Sequence, residues 1–154
     1  MKKSFTLFFS ILILSCGNKD KAKQEFNVEI ELAGISSTRE AFQNAIKEKK
    51  YERIGNLVTE DVLVISPGSD DWNSMYKMYP ERGPFPYDSI IMNPSETIIV
   101  NDSTAYDFGV SRVFYTDTIG KIVELKDTFL VILKKGKDNI WRLHREVASS
   151  NVQQ

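Results

Sequence analysis

The stretch KIVELKDTFLVILKKGKDNIWRLHREVASSN, residues 121–151, decides the predicted fold. Apolar and polar residues alternate on both sides of its centre, which indicates two strands that each bury one face. Gly136 and Asn139 lie between the two runs and are typical of a tight turn. The stretch therefore predicts a β-hairpin whose second strand carries one row of Trp141, Leu143, Arg145 and Val147.

Two charged residues, Asp127 and Arg145, stand in the otherwise apolar rows of this hairpin and are the best candidates for a site. In a simple hairpin centred on Gly136 they lie opposite each other, which predicts a cross-strand ion pair. Arg112 on the preceding strand is the alternative partner for Asp127. In a dry pocket without either partner, the pKa of Asp127 would rise, and its carboxyl would suit acid or base chemistry.

The N-terminus resembles a secretory signal. A basic start at residues 1–3 precedes an apolar run at residues 5–14, which is too short to cross a bilayer as a helix. Ile13-Leu14-Ser15-Cys16 resembles the lipobox of bacterial lipoproteins, in which the chain is cut before the cysteine and the cysteine is acylated. The alternative is an ordinary secretory signal with an incidental cysteine.

These features divide the chain into a lipoprotein signal peptide at residues 1–15, a lipidated Cys16 with a tether to residue 34, and a domain at residues 35–151. Gly17 follows the cysteine, and by resemblance to enteric lipoproteins this predicts a lipid-anchored protein of the cell envelope, at the outer membrane of a Gram-negative bacterium. Without residues 1–15 the chain has 18 basic and 21 acidic residues, and no basic stripe predicts nucleic-acid binding.

The first part of the domain predicts helices. Ser37-Thr38-Arg39-Glu40 matches a capping box and predicts a helix start at Ser37. Residues 26–32 fit a strand or a helix equally well, and their periodicity does not decide between the two. Residues 51–58 predict a short second helix, and residues 62–65 predict a short strand.

An aromatic-rich segment at residues 69–88 follows. Trp72, Tyr76 and Tyr79 recur at helical spacing, and three prolines then exclude regular structure. One interpretation is that these aromatic residues close an open end of the sheet. The other is a lid in which the three side chains line a ligand pocket.

The second half of the domain predicts a meander of antiparallel strands. Residues 95–100 and 104–116 alternate around a turn at residues 101–103, and a second turn at residues 117–120 leads into the hairpin. Together with the helices, this order predicts an α+β domain. A curved antiparallel sheet would wrap around the N-terminal helices and form a cone with a pocket at its wide end.

The order of elements resembles the nuclear transport factor 2-like superfamily, which includes ketosteroid isomerase and the SnoaL-like cyclases. The resemblance covers residues 36–151 and is closest to the domain-of-unknown-function 4440 (DUF4440) type, through residues 101–106, 129–135 and 141–151. It implies a cystatin-like cone and the possibility of a homodimer formed through the outer surface of the sheet.

One departure from this resemblance bears on activity. SnoaL-like enzymes often end in His-Asp-His, where this chain has Arg145-Glu146-Val147, and its single histidine, His144, falls on the polar row. We therefore expect binding of a small ligand or partner without catalysis. The pocket residues would be Asp127, Arg145, Arg112, Trp72, Tyr76 and Tyr79. The alternative is an isomerase, cyclase or dehydratase that uses Asp127 as acid or base, and no spacing predicts a metal or cofactor.

Overall fold

A computed structural model describes residues 26–82 and 85–152. The predicted signal peptide and Cys16 lie outside the described residues. The helices are α1 (Val28–Lys47) and α2 (Asp70–Met78), with short 3-10 helices at Tyr51–Asn56 and Pro80–Arg82. The strands are β1 (Val58–Ile65), β2 (Ser89–Asn101), β3 (Thr104–Thr116), β4 (Ile122–Lys135) and β5 (Trp141–Ser149).

The strands form one sheet in the order β1-β5-β4-β3-β2, which is not closed. Strands β2 to β5 are the predicted antiparallel meander, and the α+β prediction is confirmed. Strand β1 pairs in parallel with β5, so the sheet is mixed and not wholly antiparallel. Helix α1 packs against β2 and β5 and covers one face, which we call the inner face.

Helix α1 begins earlier than predicted. The Asn27 side chain caps it by accepting from the N–H groups of Glu29 and Ile30, at 2.9 and 3.3 Å. The capping-box prediction at Ser37 is therefore wrong, because an earlier cap carries the helix through residues 26–32 and past residue 35. Gly34 makes room for the Trp141 ring, since a Cβ there would lie 3.1 Å from it.

The core has two parts on the inner face. In the first, α1 and α2 pack over β2 and β3, and the aromatic segment contributes Trp72 and Tyr87 to the same cluster. The second lies under the first half of α1, where Ile35 meets Phe129, Val131 and Trp141. The described residues contain no helix long and apolar enough to cross a membrane.

A β-bulge in β5 changes the predicted alternation. Leu133 of β4 pairs with Leu143, and the residue before it, Ile132, pairs with Arg145. His144 therefore has no partner of its own and is an extra residue in β5. Because side chains alternate along a strand, this extra residue turns every later side chain of β5 to the opposite face of the sheet from the predicted one. Leu143 is buried, Arg145 points to the outer face, and Glu146 points to the inner face.

Candidate functional site

The predicted pair of Asp127 and Arg145 does not form. The turn lies closer to Asn139 than to Gly136, and with the bulge this places Asp127 beyond the reach of Arg145 and opposite Ser111 on β3. Arg145 instead donates to Asp61 on β1, at 2.7 Å to its carbonyl and 3.2 Å to its carboxylate. The prediction of an ion pair on the inner wall is therefore wrong.

Arg112 also lies away from the inner face. Its guanidinium donates to the Glu124 carboxylate at 2.7 Å on the outer face of the sheet. Neither arginine that the sequence suggested for Asp127 reaches it, because both occupy outward-facing positions of their strands.

Asp127 is buried, and no cation of the described residues pairs with it. Its side chain is on the inner face, the residue is 5% exposed, and its Oδ1 has no hydrogen-bond partner among the described residues. Burial raises the pKa of its carboxyl, and hydrogen bonds from the side chain and backbone of Ser111 oppose that rise. Such a group favours its neutral form more than an exposed aspartate does.

Glu146 is the acidic residue that the sequence analysis missed. It faces the inner side next to Val131 and lines a cavity there. Burial raises the pKa of its carboxyl to about 7, and the nearby charge of Asp127 adds to the rise. A carboxyl with this pKa exchanges its proton near neutral pH, which suits it to acid or base work.

The cavity is an open cleft of about 480 Å³ when the space at its mouth is counted, of which about 40 Å³ is open to the centre of a water-sized molecule. Its apolar lining comes from α1, the segment after the first 3-10 helix, and strands β2, β4 and β5, and it includes Phe42, Leu57, Ile90, Met92, Leu133 and Leu143. The polar residues of the wall are Thr38, Arg39, Asp107, Glu146 and Tyr87. This composition is typical of a site for a small, mostly apolar molecule.

The three predicted lid residues, Trp72, Tyr76 and Tyr79, are not among the residues that line this cavity. Trp72 is buried in the core, and Tyr76 donates to the hydroxyl of Ser66 at 3.0 Å. Tyr79 donates to the carbonyl of Thr116, and the Arg82 guanidinium stacks over its ring at 4.0 Å. These contacts fit the interpretation that the segment packs against the end of the sheet.

A second polar group of the cavity is an ion pair. Arg39 of α1 donates to the Asp107 carboxylate at 2.6 Å, and the Thr97 hydroxyl donates to the other oxygen at 2.6 Å. Asp107, Val131 and Glu146 occupy one row across β3, β4 and β5, so the Asp107 and Glu146 backbones are about 10 Å apart. Because Asp107 is neutralised by Arg39, Glu146 is the acidic wall residue that has no oppositely charged partner among the described residues.

Two tyrosines mark how dry the surroundings are. Burial raises the pKa of Tyr87 well above its ordinary range, and the charges of Glu146 and Asp127 contribute to that rise. The hydroxyl of Tyr51 is buried without a hydrogen-bond partner among the described residues. The residues that the structure describes contain no cluster of three or more His, Cys, Asp or Glu side chains suited to holding a metal ion.

Comparisons with known proteins identify the fold. The sequence matches no protein-family model and no curated protein sequence. A ketosteroid isomerase-like protein from Erwinia carotovora atroseptica is similar in structure, with a TM-score of 0.59 at 19% identity over 80% of this chain and 97% of that one. An NTF2-like superfamily protein from Salmonella enterica has a TM-score of 0.62 at 11% identity, over 83% and 96%.

A third similar structure is the CamKII hub homology domain from Chlamydomonas reinhardtii. Its TM-score is 0.54 at 16% identity, over 79% of this chain and 98% of that one. The three proteins carry different functional names on one architecture, so their likeness is evidence about architecture. The chain has the fold of the nuclear transport factor 2-like superfamily, as the sequence predicts.

Proposed function

We propose that this domain, of the DUF4440 type, binds a small and mostly apolar molecule in the inner cavity, with Glu146 as its polar anchor. The observation that supports this most is a carboxyl in an apolar cavity that has a pKa raised to about 7 and no cation beside it in the described part of the chain. An acidic group largely shielded from water, with no charged partner among the described residues, costs stability, so a contribution to binding is the simplest reason for its presence.

The chemistry of the wall defines the kind of ligand. When Glu146 is protonated it donates a hydrogen bond, and the partner that suits it is a carbonyl or ether oxygen. A ligand with a permanent negative charge would gain little binding energy, because Arg39, the one cation that the described residues contribute to the wall, is already paired with Asp107. The apolar remainder of the ligand would lie on side chains such as Leu133 and Leu143.

A defined probe tests this proposal. 2-Acetylnaphthalene carries one carbonyl on an apolar ring, and its binding to the purified protein is measured by calorimetry across neutral pH. We expect binding that weakens as pH rises through about 7, because ionised Glu146 no longer donates. Glu146→Gln, which keeps a donor without titrating, should bind independently of pH. Binding that is absent, or pH-dependent in both proteins, contradicts the proposal.

Catalysis is the second candidate function. The pKa of Glu146 favours it, because burial, with the charge of Asp127 adding to the effect, raises that pKa to about 7 and lets the carboxyl gain and lose a proton near neutral pH. On this fold an isomerase-type reaction would use Glu146, which lines the cavity, in the role that the sequence analysis gave to Asp127. As a carboxylate, Glu146 would take a proton from the carbon next to a carbonyl and later return one.

Hydrogen exchange tests that candidate directly. In D₂O the methyl protons of 2-acetylnaphthalene exchange through the enol, and NMR follows their loss. Acceleration by the wild-type protein and not by Glu146→Gln would support catalysis. Binding without acceleration leaves the ligand-binding function alone.

The proposal also places the domain at a membrane. The lipobox-like residues before Cys16 support acylation, and Gly17 supports sorting to the outer membrane of a Gram-negative cell. Labelled palmitate should enter the wild-type protein and not Cys16→Ser, and density-gradient separation of the envelope should find the protein with outer-membrane markers. Unlabelled wild-type protein contradicts the anchor.

The outer face of the sheet supports a homodimer. Four exposed apolar residues pair in one row across β3, β4, β5 and β1. We call them the outer row: Phe108, Leu130, Val147 and Ile65. Adjacent exposed apolar side chains of this kind mark an interaction surface. The likeness to a hub domain agrees with a second copy as the partner. Light scattering at micromolar concentration should give twice the monomer mass, and a monomer would refute this proposal.

A further inference from the structure

We infer that the N-terminal end of α1 contacts the lipid surface from which the tether leads. The inference rests on the proposed acylation of Cys16 and goes beyond it, because it assigns a membrane-contacting surface to the folded domain. That surface consists of Phe26, Val28, Ile30 and Leu32, which we call the α1 tip.

The α1 tip is apolar and exposed. All four of its side chains are exposed, Ile30 to 61%; three of them lie in the first turns of a helix that buries Ile35 and Phe42 further along, and Phe26 precedes the helix. Four exposed apolar side chains within seven residues would be costly in water. The position of the cluster, at the start of the described chain, places it where the tether begins.

The length of the tether keeps the tip close to the membrane. Residues 16–25 separate the proposed anchor from Phe26, and ten extended residues span at most about 35 Å. The tip therefore cannot move far from the lipid headgroups, and its local concentration at the surface is high. Weak individual contacts are sufficient under this condition.

The arrangement of the side chains favours lipid over a protein partner. Val28 and Leu32 are four residues apart and share one side of the helix, whereas Ile30 lies on the opposite side. A flat protein surface would cover one side only. The fluid interface of a bilayer surrounds a helix end and accommodates both.

The polar groups at this end of the helix suit the same environment. Asn27 caps the first free N–H groups. The Glu31 carboxylate is paired with the Lys135 ammonium at 2.6 Å and accepts from the Trp141 indole at 2.8 Å. Lys137 is exposed in the adjoining groove and is available to a lipid phosphate. The Glu31 charge is therefore neutralised, whereas Glu29 is exposed and would have to stay on the water side of the interface.

Lipid quenching of a fluorescent label tests the inference in the full, acylated protein. The label NBD is attached to Ile30→Cys, and Leu63→Cys on β1 is the control because Leu63 is exposed to a matching 62%. Acylation of Cys16 leaves the introduced cysteine as the only free thiol. The proteins are reconstituted into phosphatidylcholine vesicles with and without headgroup-nitroxide lipid.

We expect the label at position 30 to lose most of its emission to the nitroxide lipid, and the label at position 63 to keep its emission. Equal quenching of both labels, or of neither, overturns the inference. A label at position 30 that shifts to the blue without being quenched also overturns it, because a protein surface then covers the tip. Protein that lacks acyl chains and does not float with the vesicles refutes the anchor, and the inference with it, so the two failures are distinguishable.

Discussion

Replacing Glu146 by Gln should remove most of the pH dependence of stability near neutral pH. The ordinary pKa of a glutamate is 4.5, and in the folded protein it is raised to about 7. Between these values the folded state binds more protons than the unfolded state. The free energy of unfolding of the wild type therefore falls as pH rises through this window.

The magnitude follows from the two pKa values. Full ionisation of Glu146 costs the folded state about 3 kcal/mol, and about 2 kcal/mol of this develops between about pH 5.5 and about pH 8. The raised pKa of Asp127 has the same sign, so Gln at position 146 should flatten the profile without making it level. The carboxylates of Asp88 and Glu31 have lowered pKa values, so they contribute at more acidic pH and little in this window.

Urea unfolding of the wild type and Glu146→Gln at the two pH values measures this effect. Comparing the change with pH within each protein cancels any pH-independent cost of the substitution. Glu60→Gln makes the same chemical change at an exposed site of β1. In this variant the free energy of unfolding should change with pH as it does in the wild type. Equal slopes in the wild type and Glu146→Gln would refute the argument that Glu146 is buried with a raised pKa.

Three further predictions concern other parts of the molecule. Asp127→Asn removes a like charge and should lower the pH at which 2-acetylnaphthalene binding by Glu146 is half lost; an unchanged midpoint contradicts this. Gly109→Ala should destabilise the protein by about 1–3 kcal/mol in urea unfolding, because its Cβ would lie 2.3 Å from a backbone oxygen of β2. Gly55→Ala, with nothing within 4 Å, is its control, and equal losses would contradict the reason given. Leu130→Asp in the outer row should give a monomer by light scattering where the wild type is a dimer, and a dimeric variant would exclude that surface.

The strands were predictable because local alternation defines them. The turn at residues 101–103 and the meander of β2 to β5 appear where the apolar pattern places them. Strand β2 is longer than predicted, because Pro94 is accommodated at an irregularity of an edge strand, opposite Gly109. The parallel pairing of β1 was not predictable from its pattern, which specifies a strand but no partner.

The candidate site was less accessible to sequence reasoning. Placing Asp127 on the buried face of β4 needed only alternation, and the structure agrees. Pairing it with Arg145 needed the register of β5, which depends on one extra residue at His144. The signal that was available is the adjacency of Arg145 and Glu146, since one of two neighbouring charged residues in a strand must face inward.

The bulge at His144 also determines where this strand tolerates a change in length. Two residues there share one place in the ladder, so losing one codon at this point would restore regular pairing and leave Glu146 directed inward. A deletion at Arg142 that kept the bulge would instead turn the later side chains of β5 to the opposite face. Arg145 would then face the interior in place of Glu146. Natural insertions and deletions in β5 should therefore concentrate at the bulge wherever selection maintains the acidic lining.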